Sequence, residues 1–445
     1  MRKSKRLILI LSFLLLVTIS ICAAVFIINR SEGGFHGLSE SSGGVAEEFD
    51  SPFGFFRIQG SLKHIQFGKD YIYFHGETNG IFKYDYLTGE VSSVCVDPLC
   101  SHSGDDATCR LLKTNPINFF RMFPDMLVYS SMKSGRVSGQ SSDVKPSMYV
   151  YDLVKMTHTL IDEDAAMNNQ YCISERYLYY HNIEVKDNKN YYNFKQVDML
   201  TGDIRIFGDA TESSPQYRLI GAYAGKLYAT DPEETVTYVS DEKTPGEFKK
   251  IWDRRMAFIF TDGKELFFKS KDPENMNSDT YYFYHTDFEG NVKSKHELNG
   301  GMYWGGLHDG RHLYYVPQEK ITIVLPDGSE QETHPRYMYK LDIETGEQTV
   351  AFEFSGDYSL MYLGQSGNDL MVYDNKIYTY DLCGYVPKDD GEGYDMLNLK
   401  RGLVVIDMEN GDITYITAEL DGTDPQHPTI TNIETIPMDL ANEKS

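Results

Sequence analysis

Lys69–Glu90, KDYIYFHGETNGIFKYDYLTGE, contains two strands and a turn. Asp70-Tyr71-Ile72-Tyr73-Phe74 is aromatic and β-branched, the composition that fits a pleated sheet surface. Ile81 to Tyr86 repeats that composition and runs into Leu87-Thr88-Gly89-Glu90, where Gly89 can take the positive φ of a tight return. The two halves predict consecutive antiparallel strands followed by a hairpin.

Degraded copies of this stretch recur along the chain. The first half returns at 125–129, 176–180, 225–228, 264–268, 311–315 and 368–373. The second half returns at 148–153, 194–203, 282–290, 339–347 and 404–412, while 236–241 keeps strand character and loses the Thr-Gly turn. Counting the first copy, there are seven units, with turn aspartates spaced by about 43 to 67 residues once the fourth unit is included. Each unit has an apolar stretch before its first half and another after its turn, so four strands per unit is the natural count. A period of this size is that of a propeller blade, and a parallel solenoid has shorter repeats without paired hairpins. The expected fold is all-β: a β-propeller of seven four-stranded blades, within a range of six to eight, preceded by one transmembrane helix.

Bulk composition agrees. Aromatics make up 13% of 445 residues, 33 of them Tyr, which favours sheet. The formal charge is −24; residues 1–30 hold five basic side chains and no acidic one, leaving 37 basic against 66 acidic for the remainder. Such a surface repels a phosphate backbone, so nucleic acid is not an expected partner.

The N-terminus reads as a membrane anchor. Arg2, Lys3, Lys5 and Arg6 precede Leu7–Ile28, which has no charge and as a helix reaches roughly 33 Å. The basic flank would hold the N-terminus in the cytoplasm and send the rest outside. A cut after Cys22-Ala23-Ala24 would leave Val25-Phe26-Ile27-Ile28 exposed, and bulky Ile21 disfavours a lipid on Cys22. Residues 31–50, rich in Gly, Ser and Glu, read as a tether spanning roughly 25 Å on average. The expected organisation is thus 1–30 basic end and anchor, 31–50 linker, 51–440 propeller and 441–445 tail, a single-pass protein of the cell membrane.

The Tyr-Ile-Tyr-Phe strand and the Lys-Tyr-Asp-x-x-Thr-Gly-Glu turn resemble those of bacterial envelope propellers. More closely, they are similar to a group of membrane-anchored extracytoplasmic propellers of Gram-positive bacteria, related in turn to the low-density-lipoprotein-receptor type. The block Cys95-x4-Cys100-x-His102 is similar to one carried by that group. The resemblance covers about residues 53–438. The Tyr-Trp-Thr-Asp signature of the receptor propellers is missing, so their ligand binding is not implied.

Two places stand out as candidate sites. Cys95, Cys100, His102 and Cys109 match the ligand count of a structural Cys3His zinc site, although their spacing is looser than that of the common zinc knuckles. Outside the membrane a disulfide between two of the three thiols, or free thiols, are the competing readings. Cys172 and Cys383 read as small buried hydrophobes. Gly300-Gly301-Met302-Tyr303-Trp304-Gly305-Gly306 falls where the innermost strand of the sixth unit belongs. Tyr303 and Trp304 there would either stack on a ligand or fill the space between blades. The acidic run 389–395 departs from EF-hand spacing and reads as a solvated loop.

In an up-and-down blade the 1–2 and 3–4 turns lie at one end, and the 2–3 loops and blade crossings at the other. The long polar insertions 133–146, 271–280, 317–335 and 381–400 all fall between second and third strands, which marks either one elaborated binding face or simply the loops where insertions are tolerated. No His-Glu-x-x-His, Gly-x-Ser-x-Gly, P-loop or dinucleotide fingerprint is present, and no catalytic residue is assigned. The expectation is a non-catalytic binding or sensing module for an envelope protein, peptide or glycan. The alternatives are a glycan lyase or glycosidase built on a propeller, or a structural subunit of an envelope complex.

Overall fold

In the computed structural model the described residues are 56–57 and most of 64–433. Residues 1–55, 58–63, 77–79, 95–116, 133–145, 163–170, 276–279, 309–310, 325–329, 334–336, 354–369, 385–399, 420–428 and 434–445, with a few single positions, lie outside them. Seven antiparallel sheets follow one another along the chain, each with four strands in sequence order once the Ile321–Val324/Glu330–Thr333 hairpin in the sixth and the added edge strands Phe56–Arg57 in the fifth and Thr429–Ile433 in the seventh are set aside. The molecule is a seven-bladed β-propeller. No helix among the described residues is long and apolar enough to cross a membrane, and Leu7–Ile28 lies outside them.

A blade's inner strands are covered on both faces, so they read as continuous apolar runs rather than alternating ones. Tyr71–His75 shows how the two-residue period divides them. Ile72 and Phe74 pack with Met371 and Tyr378 of blade seven, whereas Tyr73 packs with Phe120 and Met122 of blade two. Seven buried clusters result, one at each junction between neighbouring blades. The outer strands have a free face, as the exposed and half-buried Val292–Glu297 illustrates.

The turn aspartates are structural. Asp85 Oδ1 accepts the Leu87 and Thr88 amides at 2.8 and 3.0 Å, and Gly89 returns the chain at φ 71°. Asp152, Asp198, Asp287, Asp342 and Asp407 do likewise within their own turns. The fourth unit keeps this device despite losing Thr-Gly: Asp241 Oδ1 accepts the Lys243 amide at 2.9 Å. The residue after each aspartate turns inward and is apolar elsewhere, but here it is Glu242, buried, which accepts the Tyr179 hydroxyl of blade three at 2.8 Å.

Two details depart from the sequence reading. Met371–Tyr373 is the first strand of blade seven, not the second; Asp374 and Asn375 turn at positive φ into the true second strand, Lys376–Gly384. Ring closure, for which the sequence offers 52–58 or 429–437 as a last strand, uses neither. Thr429–Ile433 adds a fifth strand to the outer edge of blade seven, and Phe56–Arg57 pairs with the first strand of blade five, Ala257–Thr261. Neither completes a blade at the seam, so among the described residues no strand of blade seven pairs with one of blade one, although a Cβ on Gly76 would collide with the Ala418 carbonyl oxygen of blade seven. Tyr86 packs there on Tyr373 and Tyr378 at 5.0 and 5.7 Å, and His64 stacks on Tyr380 at 5.3 Å.

The first strands are innermost, since those of blades three and four, five and six, and six and seven approach one another. Phe56–Arg57 therefore lies on the channel side of blade five. Phe56 sits opposite Thr261 and Arg57 opposite Phe260, antiparallel to a strand that ends at its 1–2 turn. The chain thus runs along the channel wall from the plain face toward the elaborated one.

Candidate functional site

The second strands end at the elaborated face, and the fifth position of each is equivalent through its pairing with the third strand. In blades one to three this position is His75, Ser130 and His181; in blades four to seven it is Thr230, Lys269, Val316 and Tyr380. Six of the seven are polar or carry a polar tip, and all but His75 are buried. The repeat thus places a tier of polar side chains just beneath one face.

Lys269 is the charged member. Its side chain is 6% exposed, donates to the Met302 carbonyl of the crossing into blade six, and lies 4.0 Å from the centre of the Tyr281 ring. Burial, with the nearby Arg255 guanidinium, pushes its ammonium down to about 8. Lys271 lies 5.5 Å from the same ring. His181 is lowered to about 4 by burial, so it is neutral at physiological pH.

A band of charge extends from Lys269 in both directions. Toward blade four, Arg218 Nη1 donates to Glu234 Oε1 at 2.9 Å, and Arg255 Nη1 donates to the other oxygen of that carboxylate. Glu234 stands in a loop between second and third strands at φ 58°, a left-handed position that costs a non-glycine residue energy. Arg254, between blades four and five, holds its backbone carbonyl on Thr237 Oγ1 at 2.8 Å, while its buried Nε has no hydrogen-bond partner among the described residues.

Toward blade six the band becomes aromatic and flat. Gly300 and Gly301 take φ 67° and 68°, and a Cβ on Gly300 would lie 2.7 Å from Glu319 Cδ. The Gly300 carbonyl accepts the Gln318 and Glu319 amides at 3.0 and 2.9 Å. Tyr337 donates to Glu319 Oε1 at 2.9 Å; burial and this carboxylate push its hydroxyl up. Bare glycine backbone thus lets the crossing lie against Tyr281 and Glu319.

Arg218, Arg254, Arg255, Lys269 and Lys271 therefore gather on one sector of a chain whose formal charge is −24, interleaved there with Glu234 and with Asp272, whose carboxyl Lys295 and Arg254 help hold down. Guanidinium groups suit carboxylate and phosphate oxygens, and Glu234 already demonstrates the grip on a carboxylate.

The residues singled out from sequence are placed less fully. Trp304 begins the first strand of blade six, as expected, opposite Val316; Tyr303 lies outside the described residues. Cys95, Cys100, His102 and Cys109 also lie outside them, as does the run 389–395. Cys172 is buried and free, as expected, with its thiol pushed up by burial and by Glu242. Among the described residues no cluster of three or more His, Cys, Asp or Glu side chains suits a metal.

No known family model matches this chain, and no curated protein matches it. Solved structures do. An oligogalacturonate lyase from Vibrio parahaemolyticus is 10% identical, with 73% of this chain and 85% of that one covered at a TM-score of 0.45. An oligogalacturonate lyase in complex with manganese is also 10% identical, covering 86% and 90% at 0.42. The periplasmic gluconolactonase PpgL of Pseudomonas aeruginosa is 12% identical, covering 86% and 96% at 0.35. At such identities and scores none of their chemistry is transferred.

Proposed function

We propose that this chain is a membrane-anchored, extracytoplasmic binding propeller without catalytic activity, and that its elaborated face takes an acidic envelope glycan. The observation that carries the reading is the basic band, Arg218–Arg255–Lys269–Lys271, in an otherwise acidic molecule. Tyr281, one face of which Lys269 covers, and Tyr337, which donates to Glu319, stand beside it as half-buried rings. The direction of Phe56–Arg57 supports an orientation. An anchor upstream of Phe56 approaches from the plain face, so the band points away from the bilayer. The resemblance to anchored Gram-positive propellers supports the same arrangement.

Calorimetric titration of the full chain in detergent with a hyaluronan oligosaccharide, against a neutral chitin oligosaccharide of equal length, tests the reading. Binding of the acidic ligand alone, weakening as salt is raised, is expected. Equal binding of both, or of neither, overturns it.

A further inference from the structure

The plain face carries a second asymmetry. In each 3–4 turn one residue stands two positions after the turn aspartate, its side chain at the tip. In blades one and two this residue is Leu87, 91% exposed, and Val154, 72% exposed, the two most exposed large hydrophobic side chains among the described residues. The amides of both are held by their aspartates, at 2.8 and 3.0 Å. The sequence puts Leu200 at the corresponding position in blade three, outside the described residues. In blades four to seven the position is Lys243, Glu289, Glu344 and Glu409, all exposed. At this position blades one and two thus present apolar tips, bordered by exposed Lys69, Asp70, Glu90, Asp125 and Lys155, and blades four to seven present charge.

We propose that the apolar sector of the plain face, Leu87 and Val154 foremost, docks into the bilayer surface to which the chain is anchored. This rests on the anchor proposed above. The strand Phe56–Arg57 brings the chain in from this same face, and a tether spanning roughly 25 Å keeps that face within reach of the lipid. Because tethering makes the encounter intramolecular, two side chains suffice where free protein would need many. A glutamate at the tips of blades five to seven is costly to insert into lipid where Leu87 and Val154 are not, so the disc tilts onto blades one and two. The rigid aspartate-capped turns hold the tips out at no further ordering cost.

The test uses the full chain reconstituted into phosphatidylcholine vesicles containing some phosphatidylglycerol, with brominated acyl chains as quencher. Leu87→Trp and, separately, Val154→Trp report the tips, and Val350→Trp on the outer strand of blade six is the reference. Each tip tryptophan is expected to lose about half its emission to the brominated lipid while the reference loses little. Resistance of the protein to alkaline carbonate extraction reports the anchor independently. A chain that resists extraction but shows tip and reference quenched alike overturns the docking and leaves the anchor standing. A chain removed by carbonate overturns the anchor and the docking with it.

Discussion

Gln66 and Met122 hold each other by both ends across the junction of blades one and two: Gln66 Nε2 donates to the Met122 carbonyl at 3.1 Å, and the Met122 amide donates to Gln66 Oε1 at 2.7 Å. Gln66 is 6% exposed and Met122 3%, so water does not replace either bond. Gln66→Leu leaves a buried N–H and a buried C=O without partners and is expected to cost about 2–4 kcal/mol. Denaturant unfolding checks this; a loss below about 0.5 kcal/mol would mean that the backbone groups find other partners.

Lys269 is expected to trade stability for binding. Burial lowers its proton affinity from the usual lysine value to about 8, so the unfolded chain takes up that proton first as pH falls from above 10. Its charge therefore costs the folded state on the order of 1–3 kcal/mol at neutral pH. Lys269→Met should raise the thermal midpoint while weakening the acidic glycan roughly tenfold. A variant that is both less stable and unchanged in binding would contradict this.

Glu234 occupies the two guanidinium groups that a ligand carboxylate would use. Glu234→Gln removes this internal competitor and should tighten binding of the acidic oligosaccharide roughly three- to tenfold. Loss of binding would instead show that the glutamate is needed to position Arg218 and Arg255.

His181 gives an acid-side signature. Its folded proton affinity is lowered to about 4, whereas the unfolded imidazole titrates near 6.5, so the unfolded state binds the extra proton as pH falls. The contribution is intact above about 6.5 and is lost progressively toward 4, up to roughly 3 kcal/mol in all. His181→Phe should flatten the fall in thermal midpoint between pH 7 and pH 5 relative to the parent chain. Parallel curves would rule the histidine out as its source.

For the block of Cys95, Cys100, His102 and Cys109, the expected intact-mass result is a gain of about two daltons on reduction, the mark of one disulfide. A zinc-sized loss with chelator would make it a metal-built crossing instead.

The repeat was legible because both sheet faces of each blade are buried, which stamps the same apolar run on every second strand from Tyr71 to Val316. The turn aspartates were legible for a similar reason, as each closes a local turn with its own neighbours. What failed to show was whatever depends on contacts between blades. The fourth unit looked degenerate because it lacks the Thr-Gly turn, and nothing local explains the Glu242 that follows Asp241, whose partner, Tyr179, is 63 residues away. In blade seven, Leu370–Tyr373 has the composition of a second strand, and only the Asp374-Asn375 turn gives its place away. The basic band escaped because its members are spread from Arg218 to Lys271 and meet only when blades four and five stand side by side. Two signals were available: the Arg254-Arg255 doublet in an acidic chain, and a lysine at the strand position that elsewhere is His, Ser, Thr, Val or Tyr.

The strand Phe56–Arg57 also decides where a mechanical load would enter the ring. Tension on the N-terminal side of the chain is delivered to Thr261 and Phe260 at the hub of blade five, away from the seam between blades seven and one. The seam, where no strand of blade seven pairs with one of blade one among the described residues, is not where that pull first arrives. The hub strand can peel from its neighbour pair by pair, yielding before the disc does.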